Sequence, residues 1–174
     1  MKFFIAFATT EGQTGKIAKF VADNLLELGH QVSLQDISDY LSGLSLEHFD
    51  KVVVAGSVHE NRHQDVLRSF IAAHKTALAS KKTLFLSVSL SAAFDATSEQ
   101  AEGYVQGLFE HLDWRPDAYA LVAGAIRHGA YGYYQEMIVQ HNVLPEGAVE
   151  HPEKDHEFTD WASLETAIAE FAET

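Results

Sequence analysis

The sequence predicts an α/β fold of the doubly wound kind, an open sheet of five parallel strands between two layers of helices, in the strand order 2-1-3-4-5. Three observations carry this. Short β-branched and aromatic runs recur along the chain, and segments with apolar residues at three- and four-residue spacing separate them. The first run, residues 2–8, is apolar after Lys2 without polar alternation, as a central parallel strand covered on both faces must be. Right-handed crossovers then fold such a chain into a three-layer sandwich, although pattern alone leaves other strand orders open.

The elements follow in sequence. After the first strand a helix is predicted from Thr14 to Leu28, with Ile17, Phe20, Val21, Leu25 and Leu28 recurring on one stripe and Gly29 as its stop. Val32 to Ile37 reads as the second strand and Val52 to Gly56 as the third. The next helix carries Val66, Leu67, Phe70 and Ile71 on one face. Leu84 to Val88 is the fourth strand. The helix after it has Tyr104, Leu108 and Leu112 as its apolar positions, and Trp114-Arg115-Pro116-Asp117 breaks the pattern before a fifth strand at Tyr119 to Ala123. Trp161 to Phe171 closes the chain as an amphipathic helix with Leu164, Ile168 and Phe171 inward. Residues 141–157, rich in His, Glu and Pro, are expected to form a solvated loop.

A chain of 174 residues can bury one substantial core but not two, so residues 1–174 are read as one domain. Hydrophobic residues at 47% and charged residues at 21% are ordinary for a globular protein. With 12 Lys plus Arg against 25 Asp plus Glu, the formal net charge of −13 argues against nucleic acid or anionic lipid as a partner, so an anionic ligand must be caught locally. The absence of cysteine excludes disulfides, thiolate metal sites and a cysteine nucleophile, and it fits a reducing cytoplasm. The apolar start flows through Thr9-Thr10-Glu11-Gly12 into a helical pattern, so it reads as a strand rather than a signal peptide. No apolar stretch reaches the length of a membrane span.

The segment Thr9-Thr10-Glu11-Gly12-Gln13-Thr14 joins the first strand to the first helix. Free N–H groups at a helix start, backed by the positive end of the dipole, hold a phosphate without needing a lysine, and three threonine hydroxyls can add donors. Gly12 supplies backbone freedom and Thr14 can cap the helix. The same residues read equally well as an ordinary βα turn. Gly12-Gln13-Thr14-Gly15-Lys16-Ile17 fails as a Walker loop, because the glycines are too close and Ile17 stands where magnesium needs a hydroxyl. No G-x-G-x-x-G follows the strand, so a monophosphate ligand fits better than a triphosphate or a dinucleotide.

A planar ring beside that phosphate would meet the loops after strands three and four, which converge at the same sheet edge. These are Ser57-Val58-His59-Glu60-Asn61-Arg62 and Ser89-Leu90-Ser91-Ala92-Ala93-Phe94-Asp95, with His59 and Phe94 able to stack on a ring face. After strand five, Arg127 could pair with a substrate carboxylate or form a surface salt bridge, and Tyr131, Tyr133 and Tyr134 could line an apolar pocket or cover the sheet end. Arg62 is a second cation for substrate. Of the ten histidines, His151 and His156 fall in the loop, and no metal site is expected. No G-x-S-x-G elbow supports hydrolase chemistry.

In this order and spacing, Glu11-Gly12-Gln13-Thr14, Trp114-Arg115-Pro116-Asp117, Ala123-Gly124-Ala125-Ile126-Arg127 and Thr159-Asp160-Trp161 make the chain resemble, nearly end to end, the flavodoxin-like, menaquinone-dependent protoporphyrinogen IX dehydrogenases of haem biosynthesis. The resemblance implies flavin mononucleotide (FMN) held by Thr9, Thr10, Glu11, Gly12, Gln13 and Thr14, by Ser57, Val58 and His59, and by Ser89, Leu90, Ser91, Ala92 and Phe94. It implies stepwise two-electron oxidation of protoporphyrinogen IX to protoporphyrin IX, hydride acceptance at the flavin N5, and electrons passed to a respiratory quinone. Arg127, Arg62 and Tyr131 are the substrate candidates, and no general base is named. Family members of this type carry a long basic amphipathic segment after strand five, whereas the matching Tyr134 to His141 has no Lys or Arg. The reading places the protein in the cytoplasm, with the inner-membrane surface as the alternative. Its acidity also suits a soluble flavodoxin-type electron carrier that docks a basic redox partner, and a flavin-free binding module is the third reading.

Overall fold

In the computed structural model, residues 1–38, 43–127, 144 and 154–174 are described. Strand β1 (Lys2–Ala8) leads into helix α1 (Gln13–Glu27), and β2 (Gln31–Asp36) returns beside β1. Strand β3 (Lys51–His59) and the two-residue β4 (Arg62–His63) form a hairpin that leads into α2 (Asp65–Ala79). Then come β5 (Lys82–Ser89), two 3-10 turns at Ser91–Ala93 and Asp95–Thr97, α3 (Ser98–Leu112) and β6 (Ala118–Ala123). The short strands β7 (Ala125–Ile126) and β8 (His156–Glu157) pair antiparallel, and α4 (Trp161–Glu173) ends the chain.

The five long strands pair in parallel in the order β2-β1-β3-β5-β6, which is the predicted 2-1-3-4-5 sequence of the principal strands, and β4 adds to the end of β3. One row of the register runs Leu34, Ile5, Val53, Leu84, Ala118 across the sheet. Because side chains alternate along each strand, Phe3, Ile5, Val53 and Leu86 face α1 and α4, meeting Ile17, Val21, Leu25, Leu164 and Ile168. Phe4, Ala6, Val54 and Phe85 face α2 and α3, meeting Leu67, Phe70, Ile71, Val105 and Phe109. These two dry layers hold the sheet rigid, so that its strand ends can carry a site.

Several boundaries differ from expectation for identifiable reasons. Leu28, expected on the buried stripe of α1, is 52% exposed because the helix has already ended, its turn closed by Gly29 at φ 82°. The third strand does not stop at Gly56. It continues through Ser57, Val58 and His59, because Glu60 and Asn61 both take positive φ (48° and 64°) in a tight hairpin and β4 pairs with the strand end. The α3 stripe is Ala101, Val105, Leu108 and Phe109, which rotates Tyr104 away from the core. The end of the expected 141–157 loop is not a loop, since His156 and Glu157 form β8 against β7. The remainder of that segment, apart from Leu144 and residues 154–155, lies outside the described residues.

Candidate functional site

The turn after β1 is shaped by Gly12. At φ 89° it is the residue that caps α1, a conformation costly for any side chain. Its N–H donates to Thr9 Oγ1 at 2.9 Å, and its carbonyl accepts the first helical bond from Lys16 N at 3.0 Å. The amides of Gln13, Thr14 and Gly15 therefore lie in the helix turn that has no carbonyl behind it, and the first turn carries no acidic side chain. Thr14 is not the cap that the sequence suggested. It sits inside the first turn, 1% exposed, with Oγ1 buried and without a hydrogen-bond partner.

Beside this turn the ends of β3, β5 and β6 open a crevice, at the point where the chain leaves the sheet in opposite directions from β1 and β3. Thr9, Thr10, Glu11, Gln13 and Thr14 form one wall. Ser57, Val58 and His59 form a second, continued by the hairpin tip Glu60–Asn61. Ser89, Leu90 and Ser91 form the third, with Val88, Gly124 and Ala125 below. Ser57 Oγ, like Thr14 Oγ1, is buried without a partner. Two orphaned hydroxyls in one crevice leave hydrogen-bonding capacity there for a ligand or for water.

The walls are braced from outside. Gln64 Nε2 donates to Thr10 Oγ1 at 2.6 Å, the Tyr104 hydroxyl donates to Asn61 Oδ1 at 2.9 Å, and Ala92 N donates to Ser89 Oγ at 3.2 Å. Gly124 N reaches Ser89 O at 3.0 Å, and a β-carbon on Gly124 would lie 3.7 Å from the Ser89 carbonyl carbon, so the β5 and β6 ends close together. Within the hairpin, His63 is 2% exposed, with Nε2 2.9 Å from Ser87 Oγ and its ring edge-on to Phe85. Burial, reinforced by Arg68, lowers its pKa to about 4, so the imidazole is neutral near pH 7.

Gly12, Ala92 and Phe94 do not line the crevice, and Phe94 packs edge-on against Phe158 instead of presenting a ring face there. The Gln13 side chain also turns away from the crevice. Nε2 donates to Glu157 Oε2 at 3.1 Å and Thr159 Oγ1 at 2.9 Å, and Oε1 accepts from Arg127 Nη2 at 2.8 Å. Arg127 lies near Asp155 and Glu157, at 3.5 and 3.6 Å, which is the salt-bridge alternative of the sequence reading. Arg62 stands beside the hairpin tip with Asp65 at 3.5 Å. Tyr131, Tyr133, Tyr134 and the rest of the 134–141 stretch lie outside the described residues. Glu60 and Asn61, in the loop expected to wall the site, line the crevice, and so do Val88, Tyr104, Gly124 and Ala125, which were not expected there. Tyr104 had a signal, because it falls one position before the true stripe residue Val105, on the flank of α3.

Among the described residues, no three His, Asp or Glu side chains converge on a common point for a metal, and no helix is long and apolar enough to cross a membrane.

The flavodoxin domain profile matches residues 4–149. The chain is 30% identical, over 99% of its length and 95% of the relative's, to the protoporphyrinogen IX dehydrogenase [quinone] of Escherichia coli K12. It is 24% identical to the protein of the same name from Leishmania major, over 98% of this chain and 74% of that one. Among solved structures, oxidised flavodoxin 1 from Bacillus cereus superposes with a TM-score of 0.61 at 16% identity, covering 99% of this chain and 98% of that one.

Proposed function

From its place in the flavodoxin domain family, to which this chain belongs, we propose that it binds FMN and oxidises protoporphyrinogen IX to protoporphyrin IX, passing the electrons to a quinone. The observation that carries the reading is the pair of buried, unpartnered hydroxyls, Thr14 Oγ1 and Ser57 Oγ, on two walls of one crevice beside an open helix N-terminus. The residues present fit the cofactor. The amides of Gln13, Thr14 and Gly15 and the Thr14 hydroxyl would hold the terminal phosphate, and the β3 and β5 ends would hold the ring.

When bound, the flavin would supply the hydride-accepting, two-electron redox chemistry. The chain's own residues orient and shelter it. Val58, Val88, Leu90 and Ala125 give the crevice an apolar lining that excludes water, and Ser57 Oγ supplies one hydrogen bond within it. The Tyr104–Asn61 bond fixes the hairpin tip at the rim. Arg62, half out in solvent and loosely placed against Asp65, is the cation beside that rim free to exchange its partner for a propionate of the substrate.

The test is anaerobic. Purified protein reconstituted with FMN, given protoporphyrinogen IX and a menaquinone analogue, should produce porphyrin fluorescence above the rate without protein, and a rate equal to that control refutes the activity. The net charge of −13 favours a second reading, a soluble carrier that docks a basic redox protein. Reduction by a ferredoxin reductase, slowing as salt rises, would support it, whereas salt-independent reduction counts against it.

A further inference from the structure

The polar cluster behind the phosphate turn has no part in the chemistry above, yet it joins three remote pieces of chain. Glu157, on β8, stands at its centre. Its Oε2 accepts from Lys16 Nζ at 2.5 Å and from Gln13 Nε2 at 3.1 Å, both on the first turn of α1. Its Oε1 accepts from Trp161 Nε1 at 3.1 Å, and Arg127 Nη2 lies 3.6 Å away. Thr159, two residues on, accepts from Gln13 Nε2 and donates to Ala123 O at 2.7 Å, which anchors the segment to the end of β6. The Lys16 ammonium also stands 5.0 Å over the Trp161 ring.

Gln13 is the link to the ligand side. Gln13, 5% exposed, has both side-chain amide hydrogens and its side-chain oxygen engaged in this cluster, and the residue also lines the crevice. The first residue of α1 is therefore held from behind by a segment more than a hundred residues away in sequence. The two cations near the turn, Lys16 and Arg127, are both turned onto carboxylates and away from the crevice. Anion capture at the turn thus falls to main-chain amides, and their value depends on their being held in convergent positions before the anion arrives.

We propose that Glu157 is a positioning residue for the phosphate turn, clamping Gln13 and Lys16 so that the amides of Gln13 to Gly15 are preset for the terminal phosphate of the flavin. It acts through Gln13 and touches no ligand itself. The inference rests on the FMN reading for its ligand, but the clamp can be observed in the flavin-free protein as well.

The test compares FMN with riboflavin, which presents the same ring without the phosphate. Fluorescence titrations of both flavins on the wild type, Glu157→Ala and Glu157→Gln separate a positioning role from a general loss of stability. In Glu157→Ala, FMN affinity should fall about tenfold while riboflavin affinity changes less than about twofold, because only the phosphate contacts depend on the clamp. Glu157→Gln keeps one acceptor oxygen, enough for Gln13 and Lys16 but not for Trp161 as well, and should recover part of the loss. Amide exchange at Lys16, whose N–H bonds the Gly12 carbonyl at 3.0 Å, should rise about tenfold in Glu157→Ala in the flavin-free protein, with the central β3 and β5 amides unchanged. Equal losses for both flavins, or unchanged FMN affinity and exchange, would overturn the clamp. A wild type that binds neither flavin refutes the cofactor assignment instead, and the exchange comparison then decides the clamp alone.

Discussion

Lowering the pH should destabilise this protein through His63 before general acid unfolding sets in. His63 belongs to the hairpin that forms one crevice wall, its side chain turned inward and neutral, with its Nε2 on Ser87 Oγ and its ring against Phe85. Its pKa is lowered from 6.5 to about 4, first by burial and then by Arg68. Between those two values the unfolded chain binds the proton and the folded chain does not, so stability rises with pH across the window and is lost as pH falls through it. The full difference corresponds to about 3 kcal/mol, a large part of a typical domain's stability. His30 and His74 shift in the same direction, so the comparison must be with a variant. Urea unfolding of the wild type and His63→Gln at a series of pH values from 7 to 4 provides it. The variant should be less stable at pH 7 and should lose about 3 kcal/mol less than the wild type on acidification. Parallel curves would refute the reasoning, because they would mean that His63 titrates as it does in the unfolded chain.

Thr14→Val should act in opposite directions on folding and binding. Removing an orphaned buried hydroxyl should raise the unfolding free energy of the flavin-free protein by about 1 kcal/mol, while FMN affinity falls about tenfold, and a loss of both would argue that the hydroxyl has a partner within the fold. Gly56→Ala would bring a β-carbon to 2.3 Å from Leu67 Cδ2 in a fully buried layer, so chemical denaturation should show a loss of about 1–3 kcal/mol. Lys51, buried beneath the end of α4, donates from Nζ to the carbonyls of Phe171 at 2.8 Å and Ala172 at 3.1 Å. Lys51→Met should cost about 2 kcal/mol, read by thermal unfolding, and should fray α4 by circular dichroism.

That the principal strands run parallel could be read from the chain, because buried central strands such as Phe3 to Ala8 and Val52 to Gly56 have no polar face and the helices between them keep their spacing, but their order was one of several the pattern allowed. The turn between β1 and α1 was equally legible as a turn, since Gly12 and the start of an amphipathic helix are local signals. The hairpin was not. Glu60-Asn61 lacks the glycine that usually marks such a turn, so a strand that continues to His59 looked finished at Gly56. The Gln13–Glu157 hydrogen bond was invisible for a different reason. Gln13 and Glu157 are 144 residues apart, and their hydrogen bond depends on the packing of α4 against α1, which no local pattern encodes. Arg127 shows the same limit, because its salt-bridge alternative could be stated from the sequence but its partners Asp155 and Glu157 could not be named.

The measurement closest to the central claim is a crystal structure of this protein grown with FMN. The phosphate should lie against the amides of Gln13, Thr14 and Gly15 and within hydrogen-bond reach of Thr14 Oγ1, with the ring between the β3 and β5 ends. A phosphate bound elsewhere, or a turn whose amides point away from it, would contradict the account.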